Sequence, residues 1–378
     1  MLSFWERNSF TRYNYIIAGG GILGLSVACE LKERFPDAEV LILERGIFPT
    51  GASTRNAGFL CYGSYTEILS DIRNSGEDAA VTLVEKRWKG MNKLISRLNG
   101  VDIGYINCGE YELIDDRYIK LLDKLPYLNR FLKDIFNDDN VFVEDKSAVS
   151  RFGFNSNLIR TIVYSPYESQ IDTGKLMKNL FKYASSLGVI YLTGAEVKEF
   201  TDYPDHVTVC LNHNILNYGI NFTADHFIIC TNAFLRELIN DIDVIPARGT
   251  VVVTKPVDGL KLNGIYHYDE GYYYFRNYQD RVILGGARNL DFKAEETTEF
   301  SINYRIYSRL QELLDLVILP GIDYEIDYCW TGIMGFSGNK QPFVAKVSDR
   351  IISALSCNGM GIALSSVVAE EIVSSIIN

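Results

Sequence analysis

Apolar positions along this chain fall into two repeats, short β-rich runs and longer stretches with helical spacing. Tyr13 to Ala18 is a β-rich run. After a glycine cluster, Ile22 to Phe35 carries apolar residues at helical spacing, and Pro36 stops it. Glu39 to Glu44 encloses a continuous apolar run suited to a parallel strand buried on both faces. The spacing predicts further helices over Glu77 to Asn99, Arg117 to Phe136, Asp172 to Leu187 and Phe300 to Leu316, and a short hairpin over Val101 to Ile114. Strands are predicted at Val189–Leu192, Val207–Leu211, His226–Cys230, Asp327–Met334 and Ile351–Ser356. Val244 to Gly286 reads as strand-dominated and rich in tyrosine. A turn from Cys357 to Gly361 leads into a terminal helix from Ile362 onward.

The first strand hands over to the first helix at Gly19-x-Gly21-x-x-Gly24. In such a turn the first glycine permits the tight bend and the second admits a pyrophosphate to the backbone. The third lets helix and strand pack closely, so that Ile22 and Leu23 at the helix N-terminus offer N–H groups to phosphate. Glu44 closes the second strand, where a carboxylate accepts ribose hydroxyls and repels a 2′-phosphate. The motif therefore predicts a dinucleotide, and NAD and FAD share it. Just downstream, Thr50 to Phe59 is a run of small residues around Arg55 and Asn56. It is either a plain surface loop or the support for the rest of a long cofactor. In the second reading Ser53, Thr54 and Arg55 lie near phosphates, and Asn56, Ala57, Gly58 and Phe59 near a flavin ring.

Composition narrows the picture. The chain has 378 residues, 47% of them hydrophobic and 22% charged, which predicts an ordered globular protein of two lobes. A net charge of −11 argues against nucleic acid as a partner. No run approaches the roughly 18 apolar residues of a membrane span. Met1 to Asn14 lacks the apolar core of a signal peptide. Cys29, Cys61, Cys108, Cys210, Cys230, Cys329 and Cys357 include no CxxC pair and read as reduced thiols of a cytoplasmic protein. His206, His213, His226 and His267 show no ligand spacing, so no metal site is predicted, and His267 reads as a structural histidine.

Taken in order, a set of short segments resembles the D-amino-acid-oxidase-like (DAO) family of FAD-dependent oxidoreductases. They are Ile17 to Leu25, Leu43-Glu-Arg45, Gly51 to Gly58, Gln170-Ile-Asp-Thr173, Ala224 to Asn232, Arg281 to Gly286, Trp330 to Phe336 and Asn358-Gly-Met-Gly361. The resemblance implies an α/β fold with an α+β insertion: a Rossmann-type FAD-binding domain plus a smaller mixed-sheet substrate domain. The expected division is 1–88, 155–238 and 327–378 for FAD, with 89–154 and 239–326 for substrate. It further implies that Arg45 joins Glu44 at the ribose, that the Val197 backbone meets the adenine, and that Cys230 and Thr231 close a strand near the pyrophosphate. Asn358, Gly359, Met360, Gly361 and Ile362 would lie under the flavin, where a helix N-terminus stabilises negative charge. Some relatives attach FAD through a cysteine, whose aligned position here falls near Gly332. Cys329 is three residues too early, so FAD is expected to be non-covalent.

On the substrate side, amino-acid-oxidising relatives carry a carboxylate-clamping arginine where this chain has Met334. Met334-Gly335 instead resembles the gamma-glutamylputrescine oxidoreductase branch, which acts on an amine. Arg276 and Arg288 are candidate replacement cations, and Trp330, Tyr272 and Tyr274 candidate pocket walls. The expected reaction moves a hydride from the carbon beside an amine or amino-acid nitrogen to the flavin, giving an imine that water hydrolyses. Oxidation of a hydroxy acid or polyol is the alternative, and a flavin-stabilised binding protein without turnover is a third reading. An electron acceptor must reoxidise the flavin, and no motif identifies it.

Overall fold

The computed structural model describes residues 2–211, 219–338, 341–355 and 358–377; His213 and Cys357, named above, lie outside them. The strand Arg12–Ala18 is at the middle of the first sheet. It pairs in parallel with Ile220–Ile229 on one side and Val40–Leu43 on the other. Ile190–Leu192 extends the sheet beyond Val40–Leu43, and Ile351–Leu355 pairs in parallel with the end of Ile220–Ile229. Alternation along these strands explains the layering. Ile17, Ile42, Ile228 and Ile352 enter one core, while Ile16, Leu41, Phe227 and Ile351 enter another on the opposite face. The continuous apolar run at Val40–Leu43 follows directly, since all four residues are buried.

The first core is roofed by three helices, Ile22–Arg34, Glu77–Arg97 and Gly361–Ile377. Two of them meet at backbone contact: a Cβ on Gly90 would lie 1.9 Å from the Ala363 carbonyl oxygen. The second core packs antiparallel strands Ile245–Thr254, Tyr273–Tyr278, Arg281–Gly286 and Ile326–Phe336 against helix Tyr304–Leu313. This eight-stranded sheet continues through Ile265–Tyr268, Glu110–Ile114, Thr161–Ser165 and Val143–Glu144. Ile326–Phe336 and Thr161–Ser165, grouped by sequence with the cofactor segments, therefore pair within the second sheet. Among the described residues no helix is long and apolar enough to cross a membrane.

Three local expectations are corrected. Val101 to Ile114 is not a hairpin. Ile106–Asn107 pairs with Ser169–Gln170, whereas Glu110–Ile114 joins Ile265–Tyr268 and Thr161–Ser165. Gly109, at φ +67, turns the chain from one sheet into the other. The segment Arg117 to Phe136 divides into a 3₁₀ turn, Ile119–Lys124, and an α-helix, Leu125–Phe136, because Pro126 has no N–H and belongs in a first helical turn. Helix Tyr304–Leu313 begins late, at its Asn303 cap, and runs into a π-turn over Leu314–Ile318. Helices Phe4–Phe10 and Tyr65–Ser75 were not anticipated.

Gly90→Ala is expected to push the two roofing helices apart and lower stability by about 1–3 kcal/mol, the usual cost of overpacking. A urea or thermal unfolding midpoint equal to wild type would contradict the contact.

Candidate active site

The glycine turn is built by close backbone approach. Gly19 sits at φ +100, and a Cβ there would come within 2.7 Å of the Cys230 carbonyl oxygen. A Cβ on Gly24 would lie 1.9 Å from the Gly19 carbonyl oxygen, so the helix rests on the turn itself. Gly21 opens helix Ile22–Arg34 without a side-chain cap, and Ser53 Oγ accepts the Ile22 N–H at 2.9 Å. Glu44 is buried, and its two carboxylate oxygens accept the N–H groups of Gly20 at 2.9 Å and Gly46 at 2.8 Å. The turn faces a cavity of about 370 Å³ whose walls come from both large sheets.

A family model described as FAD dependent oxidoreductase (DAO) matches residues 14–375. The chain belongs to this family. It is 24% identical over 372 residues to Bifunctional protein ThiO/ThiG of Synechocystis sp., covering 96% of this chain and 51% of that protein. It is 25% identical over 258 residues to Glycine oxidase of Geobacillus kaustophilus, covering 66% of this chain and 64% of that one. The chain thus spans about half the length of the bifunctional relatives it matches. In fold it is similar to the crystal structure of glycine oxidase from Geobacillus kaustophilus, with TM-score 0.76, 20% identity, and coverage of 97% of this chain and 95% of that one. L-proline dehydrogenase from P. horikoshii gives TM-score 0.75 at 17% identity, covering 97% and 93%. The chain has the mixed-sheet architecture of the FAD dependent oxidoreductase family to which it belongs.

The residues of this DAO chain fit the cofactor. A side chain at Gly19, Gly21 or Gly24 would collide with its surroundings, and the helix end, where Ser53 Oγ accepts the Ile22 N–H, lies at the cavity wall. Gly19, Gly21, Ile22, Leu23, Glu44, Arg45, Ser53, Arg55, Asn56, Ala57, Phe59, Val197, Cys230 and Thr231 all line the cavity. Gly332, Asn358, Gly359, Met360, Gly361 and Ile362 line it from the second sheet and the start of the last helix. Arg45 rests on Phe234, with its guanidinium 3.9 Å from the ring centroid, and pairs with Glu237 at 3.1 Å. Asn56 Oδ1 accepts the Gly58 N–H and the Thr173 hydroxyl, which holds the small-residue loop in shape.

Five sequence candidates are absent from the cavity lining. Gly24 serves the helix contact, and the Thr54 hydroxyl donates to the Pro49 carbonyl. Gly58, at φ +78, accepts from Arg276 instead of facing the cavity. Arg276 is buried, donating to the carbonyls of Gly58 at 3.1 Å and Ile171 at 2.8 Å, and burial pushes its pKa down to about 10. Trp330 donates its indole N–H to the Arg55 carbonyl at 2.8 Å. Arg55 in turn directs Nε and Nη1 at the carbonyls of Thr50 and Thr331, both at 2.8 Å. These three side chains staple the cofactor loop to its neighbours through bonds to backbone carbonyls.

Arg288 differs. It lines the cavity with Tyr272, Tyr274 and Met334, and its guanidinium lies between the rings of Phe336, at 4.2 Å, and Phe292, at 4.8 Å. Among the described residues its guanidinium makes no hydrogen bond and no ion pair. Burial lowers its pKa, and burial pushes the neighbouring Tyr274 up to about 12.

Sequence reasoning missed part of the cavity lining, which includes Cys61, Glu67, Arg87 and His267. His267 packs edge-on against Phe59, and its Nε2 lies 3.4 Å from Glu110 Oε2 and 3.4 Å from Glu168 Oε2. Burial alone would lower the His267 pKa; Glu168 and Glu112 outweigh it, and the net shift is upward. Burial pushes Glu110 well above the usual carboxylate range, aided by Glu168, and raises Glu112 to about 7 against the bonds it accepts from Thr66. A readable signal did exist, since Glu110-x-Glu112 on a strand puts two acids on one face.

Glu44→Ala removes acceptors for two buried N–H groups at the turn. It is expected to weaken FAD retention by about 1.5–3 kcal/mol, or roughly 10- to 150-fold. Equal FAD dissociation constants for variant and wild type, measured by fluorescence, would overturn the assignment.

Proposed function

We propose that this chain oxidises the C–N bond of an amine that bears a carboxylate, and that Arg288 holds the carboxylate. The observation carrying this reading is the unpaired Arg288 guanidinium at the cavity. A half-buried cation without a partner is stabilised by an anionic ligand, and a guanidinium matches a carboxylate in two parallel hydrogen bonds. Met334 and Phe336 are two apart on the strand Ile326–Phe336 and so share a face. Arg288, lying over Phe336, follows the end of Arg281–Gly286, two strands over in the sheet, and so approaches the place the family arginine would occupy from Met334.

Bound FAD supplies the hydride acceptor for the carbon beside the nitrogen. The chain's residues orient and enclose. Arg288 fixes the carboxylate end, and Tyr272, Tyr274, Phe336 and Met334 form an apolar wall that excludes water. The names of the relatives, glycine oxidase and L-proline dehydrogenase among them, support an amino-acid-like substrate. The Met334 departure, which resembles the gamma-glutamylputrescine oxidoreductase branch, supports an amine whose carboxylate is set differently from that of a simple α-amino acid. The six described cysteines form no disulfide, which suits the cytoplasmic location expected from the sequence.

Anaerobic mixing of the yellow protein with a panel of amines, amino acids and hydroxy acids tests the substrate class. Carboxylate-bearing amines should bleach the flavin fastest, and Arg288→Gln should weaken their binding by roughly 10- to 150-fold, the worth of charge-assisted hydrogen bonds. Equal rates with carboxylate-free amines, or an unaffected variant, would refute the clamp. Faster bleaching by hydroxy acids would move the reaction to the C–O bond.

The attachment is proposed to be non-covalent. Gly332 lines the cavity at the aligned attachment position, and Cys329 does not line it. Acid precipitation should release free FAD into the supernatant, whereas flavin remaining on the denatured chain would contradict this.

A further inference from the structure

Behind the wall formed by Cys61 and His267 lies a group of buried polar atoms that neither flavin binding nor the carboxylate clamp uses. Glu110 and Glu168 are fully buried, and His267 is 4% exposed. Glu168 Oε1 accepts the N–H groups of Tyr62 at 2.8 Å and Gly63 at 3.1 Å. Its Oε2 has no hydrogen-bond partner, nor do both oxygens of Glu110 or either ring nitrogen of His267. Cys61 Sγ contacts Met360 Sδ at 3.4 Å. Donor atoms of Cys61, Glu168 and His267 all lie within 4.8 Å of one another.

We propose that Cys61, Glu168 and His267 bind a divalent transition-metal ion of the zinc type, with Glu110 beside it. Bonds of roughly 2.0–2.1 Å to a tetrahedral centre place nitrogen and oxygen ligands roughly 3.3–3.4 Å apart. His267 Nε2 lies at that separation, 3.4 Å, from both Glu168 Oε2 and Glu110 Oε2. A thiolate and a carboxylate together carry two negative charges, which one dication neutralises inside the protein. One sulfur, one nitrogen and one oxygen donor form a set that zinc accepts readily. A proton on Glu110 answers one carboxylate. It leaves Glu168 Oε2 and the two imidazole nitrogens without a hydrogen bond, with the Cys61 thiol held only against Met360 Sδ. Binding the ion displaces the Cys61 thiol proton to solvent and requires the neutral imidazole.

The three ligands come from segments far apart in the chain: the end of Phe59–Leu60, the turn before Ser169–Gln170, and the strand Ile265–Tyr268. The ion would therefore tie the cofactor-side loop to the second sheet at the cavity wall. The site does not rest on the substrate reading above.

The test uses FAD-loaded protein, stripped with chelator, equilibrated with zinc sulfate and desalted before elemental analysis. Near-stoichiometric zinc, with a rise in the melting midpoint on re-addition, is expected. The double variant Cys61→Ser, His267→Ala should retain FAD but lose both the zinc and the midpoint rise. Failure of wild type to retain zinc, cobalt or manganese overturns the proposal, as does a double variant that binds metal equally well. If the double variant does not fold, cobalt-loaded wild type decides. Intense d–d absorption at wavelengths beyond the flavin bands, typical of a tetrahedral thiolate site, supports the proposal, and its absence overturns it.

Discussion

The structure depends on how closely the chain approaches itself at the glycine turn. With the Gly19 carbonyl only 1.9 Å from where a Gly24 Cβ would stand, the helix Ile22–Arg34 cannot be displaced without losing its seat on the strand. That contact aims the helix N-terminus at the cavity and sets the distance from which Glu44 reaches back to the Gly20 N–H. It also brings the loop containing Ser53 against the first helical N–H. The cofactor wall is thus a consequence of missing side chains as much as of present ones.

The two sheets meet at this wall, and two arginines help to join them. Arg55 and Arg276 both direct their guanidinium groups at backbone carbonyls of another segment, and Trp330 returns a bond to the Arg55 carbonyl. Such bonds satisfy carbonyls that an irregular loop would otherwise leave without donors. The Arg288 guanidinium makes no such bond among the described residues and lies between the Phe292 and Phe336 rings. Three arginines near one cavity therefore differ in role because of what each can reach, and charge alone does not distinguish them.

Buried acids gather behind Cys61 and His267. Glu110, Glu112 and Glu168 lie around a single buried histidine, and burial together with the neighbouring charge of Glu168 pushes Glu110 upward. Carboxylates held this way are costly to the fold unless a counter-charge is present.

Local sequence determined the first βαβ unit, because its signals are short-range: alternation, glycine spacing, and an acid at a strand end all act within a few turns of chain. It also marked most strands of both sheets and the small-residue loop from Thr50 to Phe59. Family resemblance added the far-apart segments that line the same cavity. Only tertiary structure decided that Ile106–Asn107 and Glu110–Ile114 join different sheets, since strand partners hundreds of atoms away compete equally for the same backbone groups. It alone separated Arg288 from Arg276, because an arginine's role depends on which carbonyls lie within reach of its guanidinium. And it alone assembled His267 with Glu110, Glu168 and Cys61, residues whose sequence spacing carries no trace of a distance set by strand pairing in space.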